Sequence, residues 1–246
     1  MSTPTTPPEP APASTDAVDA KPRRRWLAPA VIVVLALASS GMAVAMVHAW
    51  VSAQRGQADG EPTKLMSPGP AVDFALTDQA GAPASDEDLR GKVWVADFML
   101  TRCLGVCPVL VERMKQVQAW LDNDPGLADV RLVSFSVDGE HDTPEVLAEY
   151  ARRHGVDPER WRFLTGPRRA VWALSREQLN LHVADATGPS AEREPIVHSS
   201  NLILFDRLGR LRGFYSGNTA DDMDALRADI QRVVREVDSV PAGEAP

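Results

Sequence analysis

Apolar residues along this chain fall into three patterns, and each predicts a different kind of element. Residues 27–47 form one long stretch, apolar apart from Ser39, Ser40 and Gly41. A second pattern is the short apolar run bounded by turn residues, which reads as a strand. Residues 93–100 and 130–137 fit it as central strands, and 162–165 as a shorter one. Residues 201–205 and 211–215 flank the turn Asp206-Arg207-Leu208-Gly209, while 74–77 with the turn Asp78-Gln79-Ala80-Gly81 predict an opening hairpin. The third pattern is helical spacing. Val109, Leu110, Met114, Val117, Trp120 and Leu121 recur on one face, with Pro108 suited to the first helical position. Asp122 to Gly126 stops that helix. Thr143 caps a helix that starts at Pro144 and runs to about His154. Further helices are predicted over 167–181 and, capped by Thr219, over 220–237, with a capped helical turn at 85–89. Strand and helix alternate, which predicts an α/β domain: a mixed sheet covered by helices on both faces.

The long apolar stretch sets the organisation. About 20 apolar residues span a bilayer, and Trp26 and Trp50 stand near the two ends of this one, where Trp prefers the interface. Lys21, Arg23, Arg24 and Arg25 precede it and place the N-terminus in the cytoplasm. The expected organisation is a disordered cytoplasmic tail (1–25), a single transmembrane helix (26–50), a tether (51–66), a folded extracytoplasmic or periplasmic domain (67–237) and a disordered tail (238–246). A cleaved signal peptide ending near Ala43-Val44-Ala45 would deliver the domain to the same side. The formal charge is −8, and the basic cluster precedes the span, so the outer domain is more acidic still. That argues against a nucleic-acid partner.

Candidate chemistry centres on the chain's two cysteines, Cys103 and Cys107, at the predicted strand-to-helix turn Thr101-Arg102-Cys103-Leu104-Gly105-Val106-Cys107-Pro108. A thiol pair there can hold a soft metal or cycle between dithiol and disulfide. Free N–H groups at the start of the following helix favour the thiolate, and the expectation falls on Cys107. A redox-type pair after the first central strand points to a thioredoxin-like arrangement. A disulfide that merely braces the turn is the structural alternative. Met114 lies on the apolar stripe of its helix and reads as core. Asp138 and Asp142 are read equally well as groups near the site and as turn and cap residues.

Four segments together resemble the Sco/SenC family, over about residues 72–215. They are the opening hairpin 74–81, Cys103-x-x-x-Cys107-Pro108, the run from Ser136 through Asp138 and Asp142 to Glu145, and Val197-His198-Ser199-Ser200 with its following strand and turn. The resemblance implies a membrane-anchored, thioredoxin-like copper chaperone of cytochrome c oxidase assembly. It implies copper, as Cu(I) or Cu(II), on Cys103, Cys107 and His198. It also implies a copper-receiving oxidase subunit or other cuproprotein as partner, and an upstream copper donor or thiol reductant. Two thiolates and an imidazole suit Cu(I). His48, His141, His154 and His182 have no motif behind them. The sequence departs from the family at Leu104 and Gly105, where many relatives have Pro and Asp, and at Val197, where many have Asp before the histidine. The alternative function is a thiol–disulfide oxidoreductase with Cys103 and Cys107 as its catalytic pair and no essential metal. A thiol peroxidase and a redox or copper sensor are further alternatives on the same scaffold.

Overall fold

The computed structural model describes residues 63–236 except 104, 106, 190 and 193, and in addition Met46. The chain divides into two compact units, Met1–Gln57 and Ala58–Pro246, and the described elements all belong to the second. The expected transmembrane helix (26–50), both tails and most of the tether lie outside the described residues. Among the described residues no helix is long and apolar enough to cross a membrane.

Among the described residues nine strands form: β1 (Ala75–Asp78), β2 (Pro83–Ser85), β3 (Trp94–Met99), β4 (Arg131–Ser136), β5 (Trp161–Thr165), β6 (Val183–Asp185), β7 (Ile196–His198), β8 (Asn201–Phe205) and β9 (Leu211–Ser216). The α-helices are α1 (Cys107–Asp122), α2 (Pro144–His154), α3 (Arg168–Ala173) and α4 (Ala220–Glu236). Seven strands make one sheet in the order β2-β1-β5-β4-β3-β8-β9, while β6 and β7 pair as a separate ribbon. The sheet is mixed: β3, β4 and β5 run parallel, and β1, β8 and β9 join antiparallel. Every residue of β3 is buried, as expected of a strand covered on both faces. Its Trp94 stacks on Phe205 of β8 at 3.9 Å between ring centres, and Phe98 stacks on Phe135 of β4.

Two of the expected caps act where the sequence puts them. Thr143 Oγ1 accepts from the Val146 N–H at the start of α2, and Gly155 ends that helix in the left-handed conformation. Asp88 accepts from the Ser85 N–H in the helical turn Asp86–Leu89. The helix predicted over 167–181 is a shorter one. After Ala173 the backbone widens into a π turn (Leu174–Gln178), in which the Leu179 N–H donates to the Leu174 carbonyl. Asn180 then adopts a positive φ and ends the helix, so Leu181 and His182 lie beyond it.

Register decides where the functional loops meet. Met99 of β3 pairs with Ser136 of parallel β4, so the loops that follow both strands leave the same end of the sheet. β8 runs antiparallel to β3, with Ala96 opposite Ile203, so the start of β8 lies at that end too. Carboxyl ends of parallel strands are where open α/β sheets place their sites.

Candidate metal and thiol site

The cysteine loop leaves β3 and turns directly into α1, whose first residue is Cys107. Both cysteines are free thiols and both are buried, Cys103 at 5% exposure and Cys107 at 1%. His198 is the last residue of β7 and is brought in by the ribbon. Val183 pairs with His198 across it. Three-residue strands are too short to show an alternating pattern, so the sequence reading placed His198 before a strand and missed the ribbon.

His198 Nε2 lies 3.2 Å from Cys107 Sγ. Its other nitrogen, Nδ1, is 2.9 Å from the Ser199 carbonyl oxygen, which can only accept a hydrogen bond. The ring proton is therefore on Nδ1, and the Nε2 lone pair faces the sulfur. A fixed tautomer of this kind is what a metal-ligating histidine needs. Val197, where many relatives have Asp, is exposed and plays no part; the main chain supplies the orienting acceptor. Cys103 lies within hydrogen-bonding reach of both Cys107 and His198. Among the described residues, no three His, Cys, Asp or Glu side chains are grouped so that they could hold a metal ion as they stand. The arrangement is thus a touching Cys107–His198 pair with Cys103 beside it.

The thiolate falls on Cys103, not on Cys107 as the helix start suggested. The Cys103 sulfur accepts from the Cys107 thiol and from the backbone N–H groups of Cys107 and Gly105. These hold Cys103 well below the usual thiol range against the opposing effect of burial. Cys107 is pushed far upward, first by holding its proton against Cys103 and then by burial. The helix's first free N–H is aimed back at the preceding sulfur. The two thiols form one coupled pair that shares a proton.

Two acidic residues fix the loop from the neighbouring strand. Asp142 is fully buried, and its carboxylate accepts from the Thr101 N–H at 3.0 Å, the Thr101 hydroxyl at 2.5 Å and the Ser136 hydroxyl at 2.6 Å. His141 Nδ1 lies 2.9 Å from the same carboxylate. Asp138 pairs with Arg102 Nε at 2.6 Å. Asp142 therefore clamps the cysteine loop, while Thr143 does the capping. Gly139 between them packs against the backbone of Gly166; a Cβ there would lie 1.9 Å from the Gly166 carbonyl oxygen.

Asp97 was missed by the sequence reading. It lies in the middle of β3 with no exposure, accepts from the Ser134 hydroxyl at 2.5 Å through Oδ1, and leaves Oδ2 unpartnered. Burial raises its carboxyl pKa to about 6, against the opposing effect of the Ser134 hydrogen bond. A lone acid inside an otherwise apolar strand was the available signal. Met99, also on β3, and Met114, on α1, are fully buried core residues. His141, His154 and His182 lie away from the sulfur pair's hydrogen bonds, and His48 is outside the described residues.

The protein family described as SCO1/SenC matches residues 67–235. The SCO1 protein homolog of Bacillus subtilis is 31% identical over 158 residues, which cover 64% of this chain and 79% of that relative. The structure of BsSco, described as a member of the Sco family of cytochrome c oxidase assembly proteins with a disulfide switch, superposes with a TM-score of 0.59. It is 28% identical and covers 70% of this chain and 98% of that one. The copper-bound structure of Bradyrhizobium japonicum ScoI gives a TM-score of 0.55 at 25% identity, over 66% of this chain and 98% of that one. The sheet, the order of its elements and the matched span agree: the fold is thioredoxin-like, and the chain belongs to the SCO1/SenC family.

Proposed function

We propose that this chain is an extracytoplasmic copper metallochaperone, which carries copper on Cys103, Cys107 and His198 and delivers it to the dinuclear copper site of cytochrome c oxidase. The observation that carries the reading is the Cys107–His198 contact, with Nδ1 engaged by the Ser199 carbonyl and Nε2 turned to the sulfur. Two sulfurs and an imidazole nitrogen are soft or borderline donors, the set that selects Cu(I) among common ions. The copper bound in the Bradyrhizobium ScoI structure supports copper as the cargo, and the description of BsSco supports oxidase assembly as the setting. Residues 26–50 anchor the domain to the inner membrane with the N-terminus in the cytoplasm, a proposal that rests on their hydrophobicity and the basic cluster before them.

The residues divide the work. Cys103 presents a ready thiolate, Cys107 releases its proton as the metal arrives, and His198 completes the set with a lone pair that needs no deprotonation. Three donors leave an ion open to a fourth from a receiving protein, so cargo can pass by ligand exchange. The test is an anaerobic Cu(I) competition titration of the full chain in nonionic detergent against a chromogenic chelator. Tight one-to-one binding is expected, lost in Cys103→Ala and in Cys107→Ala. Binding no tighter than that of a simple dithiol would overturn the reading.

A thiol–disulfide oxidoreductase is the second reading, favoured by the low pKa of Cys103. The Cys103 thiolate would attack a partner disulfide and release one partner sulfur as a thiolate. Cys107 would then lose its proton and attack Cys103, leaving a 103–107 disulfide and a reduced partner. This chemistry needs no His198 ligand, so His198→Ala separates the two readings.

A further inference from the structure

Glu194 lies in the segment that joins β6 to β7. Its carboxylate sits directly over the cysteine loop at Gly105. A Cβ at Gly105 would lie 3.2 Å from Oε2, 3.3 Å from Cδ and 3.5 Å from Oε1 of Glu194. The carboxylate thus occupies the space into which a side chain at position 105 would project. Gly105 in turn donates its N–H to Cys103 Sγ at 3.3 Å, so the acid and the sulfur are linked through one residue. Among the described residues Glu194 makes no hydrogen bond and no ion pair.

Further acids stand near the residue that precedes Cys103. Arg102, next to Cys103, is paired with Asp138 and also faces Asp142 and Glu140. Among the described residues, Arg102 is thus already engaged by an acid, and Glu194 adds a further carboxylate at Gly105. A charge beside an opening selects what approaches it. It attracts cations, slows anions, and loses its effect as salt screens it.

We propose that Glu194 is a specificity-determining residue for access to Cys103 and Cys107, whose carboxylate over Gly105 favours cationic cargo and excludes anionic thiols and disulfides. The proposal deepens the copper-chaperone reading and rests on it for the identity of the cargo. The selectivity itself is read without metal, so a failure of copper binding and a failure of this proposal are separate results. In a chaperone the device would protect a thiolate pair from anionic small thiols while leaving it open to a metal cation.

The experiment uses the full chain in nonionic detergent, reduced and metal-free, and two disulfide reagents: the anionic 5,5′-dithiobis(2-nitrobenzoate) and the neutral 4,4′-dithiodipyridine. With either reagent one protein sulfur attacks and displaces one thiolate. The second protein sulfur then closes the 103–107 disulfide and displaces the other. Any change in the thiolate fraction alters both rates together, so the ratio of anionic to neutral rates reports the charge alone. Glu194→Gln is expected to raise that ratio about three- to tenfold at low salt, with the gain largely gone at about 0.5 M salt. Gly105→Asp in the Glu194→Gln background puts a carboxylate back at the same place and is expected to lower the ratio again. An unchanged ratio in Glu194→Gln would overturn the proposal. So would a change of equal size at low and high salt, which would indicate an altered loop shape.

Discussion

The two halves of the site are held in different ways. The cysteine half grows out of β3, the fully buried centre of the seven-stranded sheet, and Asp142 and Asp138 tie its loop to the neighbouring strand. The histidine half stands on a ribbon of two three-residue strands outside that sheet. One backbone carbonyl orients the His198 ring and one sulfur touches it. Short two-stranded ribbons are marginal on their own. Under the copper-carrier proposal, the contrast puts the sulfurs on the better-braced element and the proposed nitrogen donor on the shorter ribbon, where local opening is expected to be easier.

That contrast can be broken most severely at Asp142. Asp142→Ala leaves the Thr101 N–H and the Thr101 and Ser136 hydroxyls without their buried acceptor. A loss of about 4 kcal/mol of folding stability is expected. Urea unfolding measures it, and a loss below about 1 kcal/mol would show that the clamp is not structural.

Asp97 sharpens the comparison from beneath the cysteine loop. Its pKa is raised by burial from 3.8 to about 6, so the folded state binds this proton more tightly than the unfolded chain does. Stability conferred by the protonated acid is therefore present below about pH 4, falls between about pH 4 and 6, and stays low above that, by about 3 kcal/mol in all. Asp97→Asn cannot titrate and should lack this component. Denaturation of both proteins across pH 4–8 checks it, with the wild-type-minus-variant difference falling as pH rises.

His198→Ala should have the smallest effect on folding, less than about 1 kcal/mol, since the ring makes one backbone hydrogen bond and one sulfur contact. Its effect on Cu(I) affinity should nevertheless be a hundredfold or more, because it deletes one of three donors. Equal losses of stability in His198→Ala and Asp142→Ala would erase the distinction between the two halves.

Much of the fixed half was legible in the sequence. The apolar runs of β3 and β4, the stripe of α1 and the Thr143-Pro144 start of α2 each carry a local signal, and the structure follows them closely. The cysteine pair announced itself by its position after β3. The ribbon half was not legible in this way. β6 and β7 are too short for periodicity, and His198 stood out only through the resemblance of its surrounding motif. Tertiary facts account for the remaining differences. Which sulfur is the thiolate depends on where the Cys107 N–H and thiol point, and Asp142 serves the cysteine loop because parallel pairing sets two loops side by side. The π turn after α3 has no mark in the sequence that we can identify.

The most direct test of the central claim is X-ray absorption at the copper edge on the Cu(I)-loaded full chain, compared with His198→Ala loaded in the same way. Two sulfurs and one imidazole nitrogen are expected in the wild type, with the imidazole scattering lost in the variant. A two-sulfur site identical in both proteins would contradict the account and leave His198 as a neighbour of the cysteines rather than a ligand.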